Sequence, residues 1–126
     1  KIEAKYNNIK IKNGSAAVIS TGNNSNVDLS NSKIEYDGEG FALYGSNNGR
    51  ITLDHSELTL RGKAIGYEND LTHPSVFWGT DSKINIYSND VVLFNLKNVP
   101  TLQLSIKCGR NTSYYQYSRS RNRNKL

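Results

Sequence analysis

The side chains able to do chemistry are few and scattered. Across 126 residues there are two histidines, His55 and His73, one cysteine, Cys108, and 11 Asp or Glu against 16 Lys or Arg. Two histidines and one cysteine so far apart lack the short-range spacing that gathers metal ligands, so neither a metal nor a cofactor is expected. A lone cysteine also excludes an internal disulfide. The nearest approach to an acid–base cluster is Asp37, Glu39, Arg61, Lys63 and Asp90. General acid–base hydrolysis needs two carboxylates converging on one bond, and in the register derived below Asp37 and Glu39 each face a base instead. Gly38-Glu39-Gly40 has the outline of a phosphate loop, but no helical pattern follows to supply the N-terminal amides such a loop uses. Ser32, Ser56 and Ser82 have no His–acid pair to activate them and suit strand corners, where a hydroxyl bonds nearby backbone. No catalytic residue is assigned, and the chain is expected not to be an enzyme. His73 and Trp78 remain as a candidate binding loop. Both lie in the longest interruption of the pattern, Asn69 to Gly79, where an exposed aromatic suits a protein or carbohydrate contact. Phe77 falls one period after Ile51 and is expected in the core; Trp78 suits the core and the contact equally.

What must position these residues is a repeat. Ser32–Leu43 reads SKIEYDGEGFAL, Ser56–Tyr67 reads SELTLRGKAIGY and Ser82–Leu93 reads SKINIYSNDVVL, starting at intervals of 24 and 26 residues. Each copy has apolar residues at its third, fifth, tenth and twelfth positions. The same pattern occurs one period earlier at Ile9, Ile11, Ala16 and Val18. A further apolar pair precedes each copy: Ile2 and Ala4, Val27 and Leu29, Ile51 and Leu53; Leu102 and Leu104 would begin a fifth turn. Short alternating runs broken by Gly, Asn, Ser and Asp are strands with one buried face, and a period of this size marks a solenoid.

An antiparallel sandwich also has closely spaced strands, but it does not need like residues to recur every turn. A parallel β-helix does, because each turn stacks about 4.8 Å from the last. The expected fold is therefore all-β: a right-handed parallel β-helix of about four turns, with three short strands per turn, over residues 1–104. Its interior columns are Ile9/Ile34/Leu58/Ile84, Ile11/Tyr36/Leu60/Ile86, Ala16/Phe41/Ile65/Val91 and Val18/Leu43/Tyr67/Leu93. This register was set on apolar residues alone, and it opposes Lys10/Glu35, Lys12/Asp37, Lys33/Glu57, Asp37/Arg61, Glu39/Lys63 and Glu57/Lys83, with Glu3/Asp28 the like-charged exception. Such pairs contribute only about 0.2–1 kcal/mol each; their value is in specifying register. Asn31, His55 and Asp81 fall in one column of polar turn residues.

After Leu104 the pattern stops. Residues 105–126 carry six Lys or Arg and no acid, while the first 104 hold 10 Lys or Arg against 11 acids. The net charge of +5 is thus a property of the tail. That tail is expected to be a disordered segment, and no nucleic-acid partner is assigned. Its tyrosines and arginines leave a weaker nucleic-acid reading, which predicts binding that falls steeply with salt. The absence of Met and the start within an alternating pattern lead us to expect a piece of a longer chain, and the abrupt change at Leu104 leads us to expect a frameshift or truncation there.

The runs LSNSKIEYDGEGFAL, ITLDHSELTLRGKAIGYE and KINIYSNDVVLFNLKN resemble passenger repeats of the large fusobacterial autotransporter adhesins over about residues 7–104. The resemblance implies a secreted stalk at the cell surface, delivered by a C-terminal outer-membrane β-barrel that these residues do not include. It further implies binding to host-cell or bacterial surface proteins or glycans, without catalysis. It carries no motif of binding residues. The alternative is a polysaccharide-acting β-helix enzyme of the pectin lyase type. Exposed strand edges at the ends of an isolated solenoid lead us to expect self-association.

Overall fold

Short alternating runs become a coil only if the chain turns sharply between them, and the residues at the corners are those that accept a left-handed backbone. In the computed structural model, which describes residues 2–69, 76–95, 105–108 and 113–116, the described residues form strands and turns without a helix. The first turn is β1 (Ile2–Lys5), β2 (Asn8–Lys12) and β3 (Ala16–Thr21); the second is β4 (Asn26–Ser30), β5 (Lys33–Gly38) and β6 (Phe41–Ser46). The third comprises β7 (Arg50–Asp54), β8 (Glu57–Gly62) and β9 (Ile65–Asn69), and the fourth β10 (Val76–Thr80), β11 (Lys83–Ile86) and β12 (Val92–Asn95). Two strands of a fifth, β13 (Ser105–Cys108) and β14 (Ser113–Gln116), follow.

Every strand pairs in parallel with its equivalent one turn away, giving three sheets: β1-β4-β7-β10-β13, β2-β5-β8-β11-β14 and β3-β6-β9-β12. The chain is a parallel β-solenoid, as the repeat predicts.

The corner from the first sheet to the second carries Tyr6, Asn31, His55 and Asp81, all with φ between 48° and 57°. Asn, Asp and His are the non-glycine types that most readily adopt this region, which explains the polar column without invoking function. The corner from the second sheet to the third carries Asn13, Gly38 and Gly62, with φ of 60°, 131° and 68°. A Cβ on Gly38 would lie 2.6 Å from Asn13 Oδ1, and one on Gly62 would lie 2.8 Å from the Gly38 nitrogen. The glycines of DGEG and RGKA are thus needed because stacked corners bring backbone against backbone. The third corner is built on Gly22, Asn24, Asn47 and Asn48.

Between the sheets lies one apolar column set. Val27, Ile51, Leu29 and Leu53 come from the first sheet; Ile34, Leu58, Ile84, Tyr36, Leu60 and Ile86 from the second; Val18, Leu43 and Tyr67 from the third, with Leu93 behind them. Full burial of a Leu or Ile side chain contributes about 1.5–3 kcal/mol. The Tyr36 ring fills this core, and its hydroxyl donates to the Gly14 carbonyl.

The register in the first two sheets is the expected one through four turns, including Ile9↔Ile34, Tyr36↔Leu60, Leu58↔Ile84 and Ile51↔Phe77. The third sheet departs from expectation in two ways. Ile65 pairs with Val92, not Val91, and Tyr67 with Phe94, not Leu93. Phe41 is only half-buried, its ring 5.5 Å from that of Tyr44, while Ala42 and Leu43 are both fully buried. Two consecutive buried residues mean that simple alternation fails here, so the twelve-residue motif locates the third strand without setting which side of it faces in. The stretch after Leu104 also contributes to the sheets: Ile106 stands opposite Phe77 and Tyr114 opposite Ile84. Ser105–Cys108 and Ser113–Gln116 thus pair within a fifth turn, in a stretch expected to be disordered; Leu102 and Leu104, and the rest of 105–126, lie outside the described residues.

Candidate functional site

Chemistry-bearing side chains converge at the first corner. Ser32, Ser56 and Ser82 lie just past it, each at most 4% exposed. Each hydroxyl donates to the carbonyl two residues back: Ser32 to Ser30 at 2.8 Å, Ser56 to Asp54 at 2.9 Å and Ser82 to Thr80 at 2.8 Å. Each also accepts an amide from the previous turn, Asn7 N–H to Ser32, Ser32 N–H to Ser56 and Ser56 N–H to Ser82, all at 3.2 Å. The serines are a continuous hydrogen-bond ladder, in which each hydroxyl's proton and one of its lone pairs are committed to backbone.

On the outer side of the same corner, His55 Nδ1 lies 2.8 Å from Asp54 Oδ1 and His55 Nε2 lies 3.8 Å from Asp81 Oδ2. One ligand atom from each of Asp54, His55 and Asp81 falls within 4.8 Å of the others. Backbone bonds place them: Asn31 N–H donates to Asp54 O at 2.9 Å and His55 N–H to Thr80 O at 3.0 Å, locking consecutive corners together. A surface groove of about 500 Å³ runs along this column, lined by Asn31, His55 and Asp81 together with Lys33, Glu57 and Lys83. His55 and Asp81 are 26 residues apart, so no short spacing motif links them. The signal in the sequence is the period itself, which puts both in one column beside Asp54.

The outer face of the second sheet is a charge ladder. Lys10 Nζ lies 3.8 Å from Glu35 Oε2. Arg61 stands opposite Asp37 in register, yet its Nε lies 3.7 Å from Glu35 Oε1, and its guanidinium sits 4.3 Å from the centre of the Tyr87 ring. The expected opposition of Asp37 and Arg61 is thus present in register, while the Arg61 side chain reaches diagonally to Glu35; it leans along the strand and gains a ring face. The like-charged opposition of Glu3 and Asp28 is present in register, and Asp28 accepts a 2.7 Å bond from Thr52 on its other side.

Of the two residues of the expected binding loop, His73 and Trp78, the structure describes the backbone of one. Val76–Thr80 is strand β10, so Trp78 stands in a sheet, at the register position of Thr52; the interruption is shorter than Asn69 to Gly79. The physical reason is that VFWGT continues the first sheet one period after Ile51, and pairing with β7 satisfies backbone that a loop would leave to water. His73 lies outside the described residues.

The fold defines the class, a parallel β-solenoid, and the corner groove is a candidate site among its described residues. No protein-family model, curated protein or solved structure matches the chain.

Proposed function

We propose that the chain is part of the passenger stalk of a bacterial surface adhesin of the autotransporter type, a non-catalytic rod that holds contact surfaces away from the cell and meets proteins or glycans of host or bacterial surfaces. The reading rests on the resemblance of its repeats. The observation that favours it is how the polar side chains of the described turns are used. The serine ladder, the Thr52–Asp28 bond, the Asn48–Asn23 bond at 2.8 Å and the Lys10–Glu35–Arg61 chain all join one turn to the next. Side chains used to specify stacking build length, which is what a stalk requires.

The second reading, a polysaccharide-acting enzyme, is favoured by the corner groove, which sets Asp81 and Glu57 among lysines.

One experiment separates them. Beads carrying the full chain are exposed to epithelial cells and to bacteria, and in parallel the soluble chain is incubated with acidic polysaccharides while chain length is followed by viscosity. Retention of cells with unchanged viscosity supports the adhesin. Falling viscosity that stops in Glu57→Gln or Asp81→Asn supports the enzyme, and absence of retention on every surface overturns the stalk adhesin as a property of this chain.

A further inference from the structure

We propose that Asp54, His55 and Asp81 form a binding site for a divalent transition-metal cation of the zinc type, which clamps the third turn of the solenoid to the fourth. His55 Nδ1 is engaged by Asp54 Oδ1 at 2.8 Å. In the neutral imidazole this hydrogen bond keeps the proton on Nδ1 and leaves the Nε2 lone pair free, the carboxylate–histidine arrangement that orients a ligating imidazole. Nε2 then looks toward Asp81 Oδ2 at 3.8 Å. That is too long for a hydrogen bond, but it is a suitable separation for two ligands of one ion. Bonds of about 2.0–2.2 Å from each atom meet between them at an angle of about 130°.

The two ligands come from equivalent corners of adjacent turns, with φ of 49° and 48°, so backbone already brings the two corners into register before any ion arrives. The Asp81 side chain is 18% exposed and that of His55 60%, which leaves the outer side open to waters that complete the coordination shell. An imidazole ligand favours zinc, nickel or copper over magnesium or calcium, which prefer all-oxygen sites.

The test uses the full chain. Zinc chloride is titrated calorimetrically into the parent protein and into His55→Asn, Asp81→Asn and Asp54→Asn. Asparagine is chosen because Asn31 already occupies the corner position of His55 and Asp81 with φ of 50° and because it matches Asp54 in size, so the variants keep the backbone; far-UV circular dichroism without metal checks this. His73→Gln and Cys108→Ser report on the chain's other soft ligands. The expected result is a single zinc site that weakens at least tenfold in His55→Asn and in Asp81→Asn, by about 10–100-fold in Asp54→Asn as for a lost orienting carboxylate, and is unchanged in His73→Gln and Cys108→Ser. Zinc should raise the melting temperature of the parent and not of His55→Asn, while calcium at the same concentration should do neither. Zinc binding that survives His55→Asn, disappears with His73→Gln or Cys108→Ser, or is matched by calcium overturns the proposal, as does the absence of zinc binding by the parent. These readouts do not depend on adhesion or glycan cleavage.

Discussion

Replacing Ser56 by Ala tests whether the serine ladder holds the solenoid's turns together. The Ser56 hydroxyl donates to Asp54 O at 2.9 Å and accepts the Ser32 amide at 3.2 Å. Losing the donor matters little, because Asp54 O still receives the Asn31 amide at 2.9 Å. The lost acceptor decides the magnitude: the Ser32 N–H is left buried, in a residue 1% exposed, and an orphaned buried donor costs about 1–3 kcal/mol. Ser82→Ala should cost as much, since it orphans the equally enclosed Ser56 N–H. Ser32→Ala should cost less than about 1 kcal/mol, because the amide it releases belongs to Asn7, an exposed residue of the first turn that water can reach. Equilibrium urea unfolding followed by far-UV circular dichroism gives the ranking, and a thermal scan should show a fall of about 4 °C per kcal/mol. If Ser56→Ala stays within about 0.3 kcal/mol of the parent, or Ser32→Ala is the most damaging of the three, the ladder does not carry the load assigned to it here.

Burial raises the pKa of Tyr36 above the ordinary tyrosine value of 10.0. The folded state therefore holds this proton more tightly than the unfolded chain. Its contribution to stability is complete below pH 10 and is lost as pH rises from there through the folded-state pKa. Tyr36→Phe should lower stability by about 0.5–1.5 kcal/mol at neutral pH through the lost bond to Gly14, and should flatten the alkaline fall in urea midpoint; an unchanged alkaline slope would contradict the assignment. Arg61→Ala, by contrast, should cost less than about 1 kcal/mol and should become neutral in high salt, because its partners are surface groups; a larger, salt-independent loss would mean that the Tyr87 contact dominates. Among the described residues β1, β2 and β3 pair on one side only, and Ile2 is 60% exposed. Sedimentation should show association that grows with concentration and weakens in Ile2→Lys, and a monomer at all concentrations would refute it.

How much of this was legible in the sequence depended on the kind of interaction. The columns Ile34/Leu58/Ile84 and Tyr36/Leu60/Ile86 could be read directly because in a parallel solenoid one period maps each residue onto its equivalent, and the apolar pattern repeats without insertion in those strands. The opposition of Lys10 to Glu35 and of Lys33 to Glu57 follows from the same mapping. The third sheet was less legible: Val91 and Leu93 are buried as expected, but Ala42 is buried beside Leu43, and it is Val92 that pairs with Ile65. There a local departure from alternation, invisible in residue type, shifts which residue meets which.

By itself the sequence determined that the chain coils, with what period and with which apolar columns in the second sheet, because hydrophobic periodicity is a property of local residue types. Only the tertiary structure decided where the side chains end. Arg61 reaches Glu35 and the Tyr87 ring instead of the Asp37 opposite it, Trp78 joins a strand, and Asp54, His55 and Asp81 converge. Register sets Cα neighbours, but the tips of long or polar side chains, several bonds beyond, settle only when adjacent turns are in place.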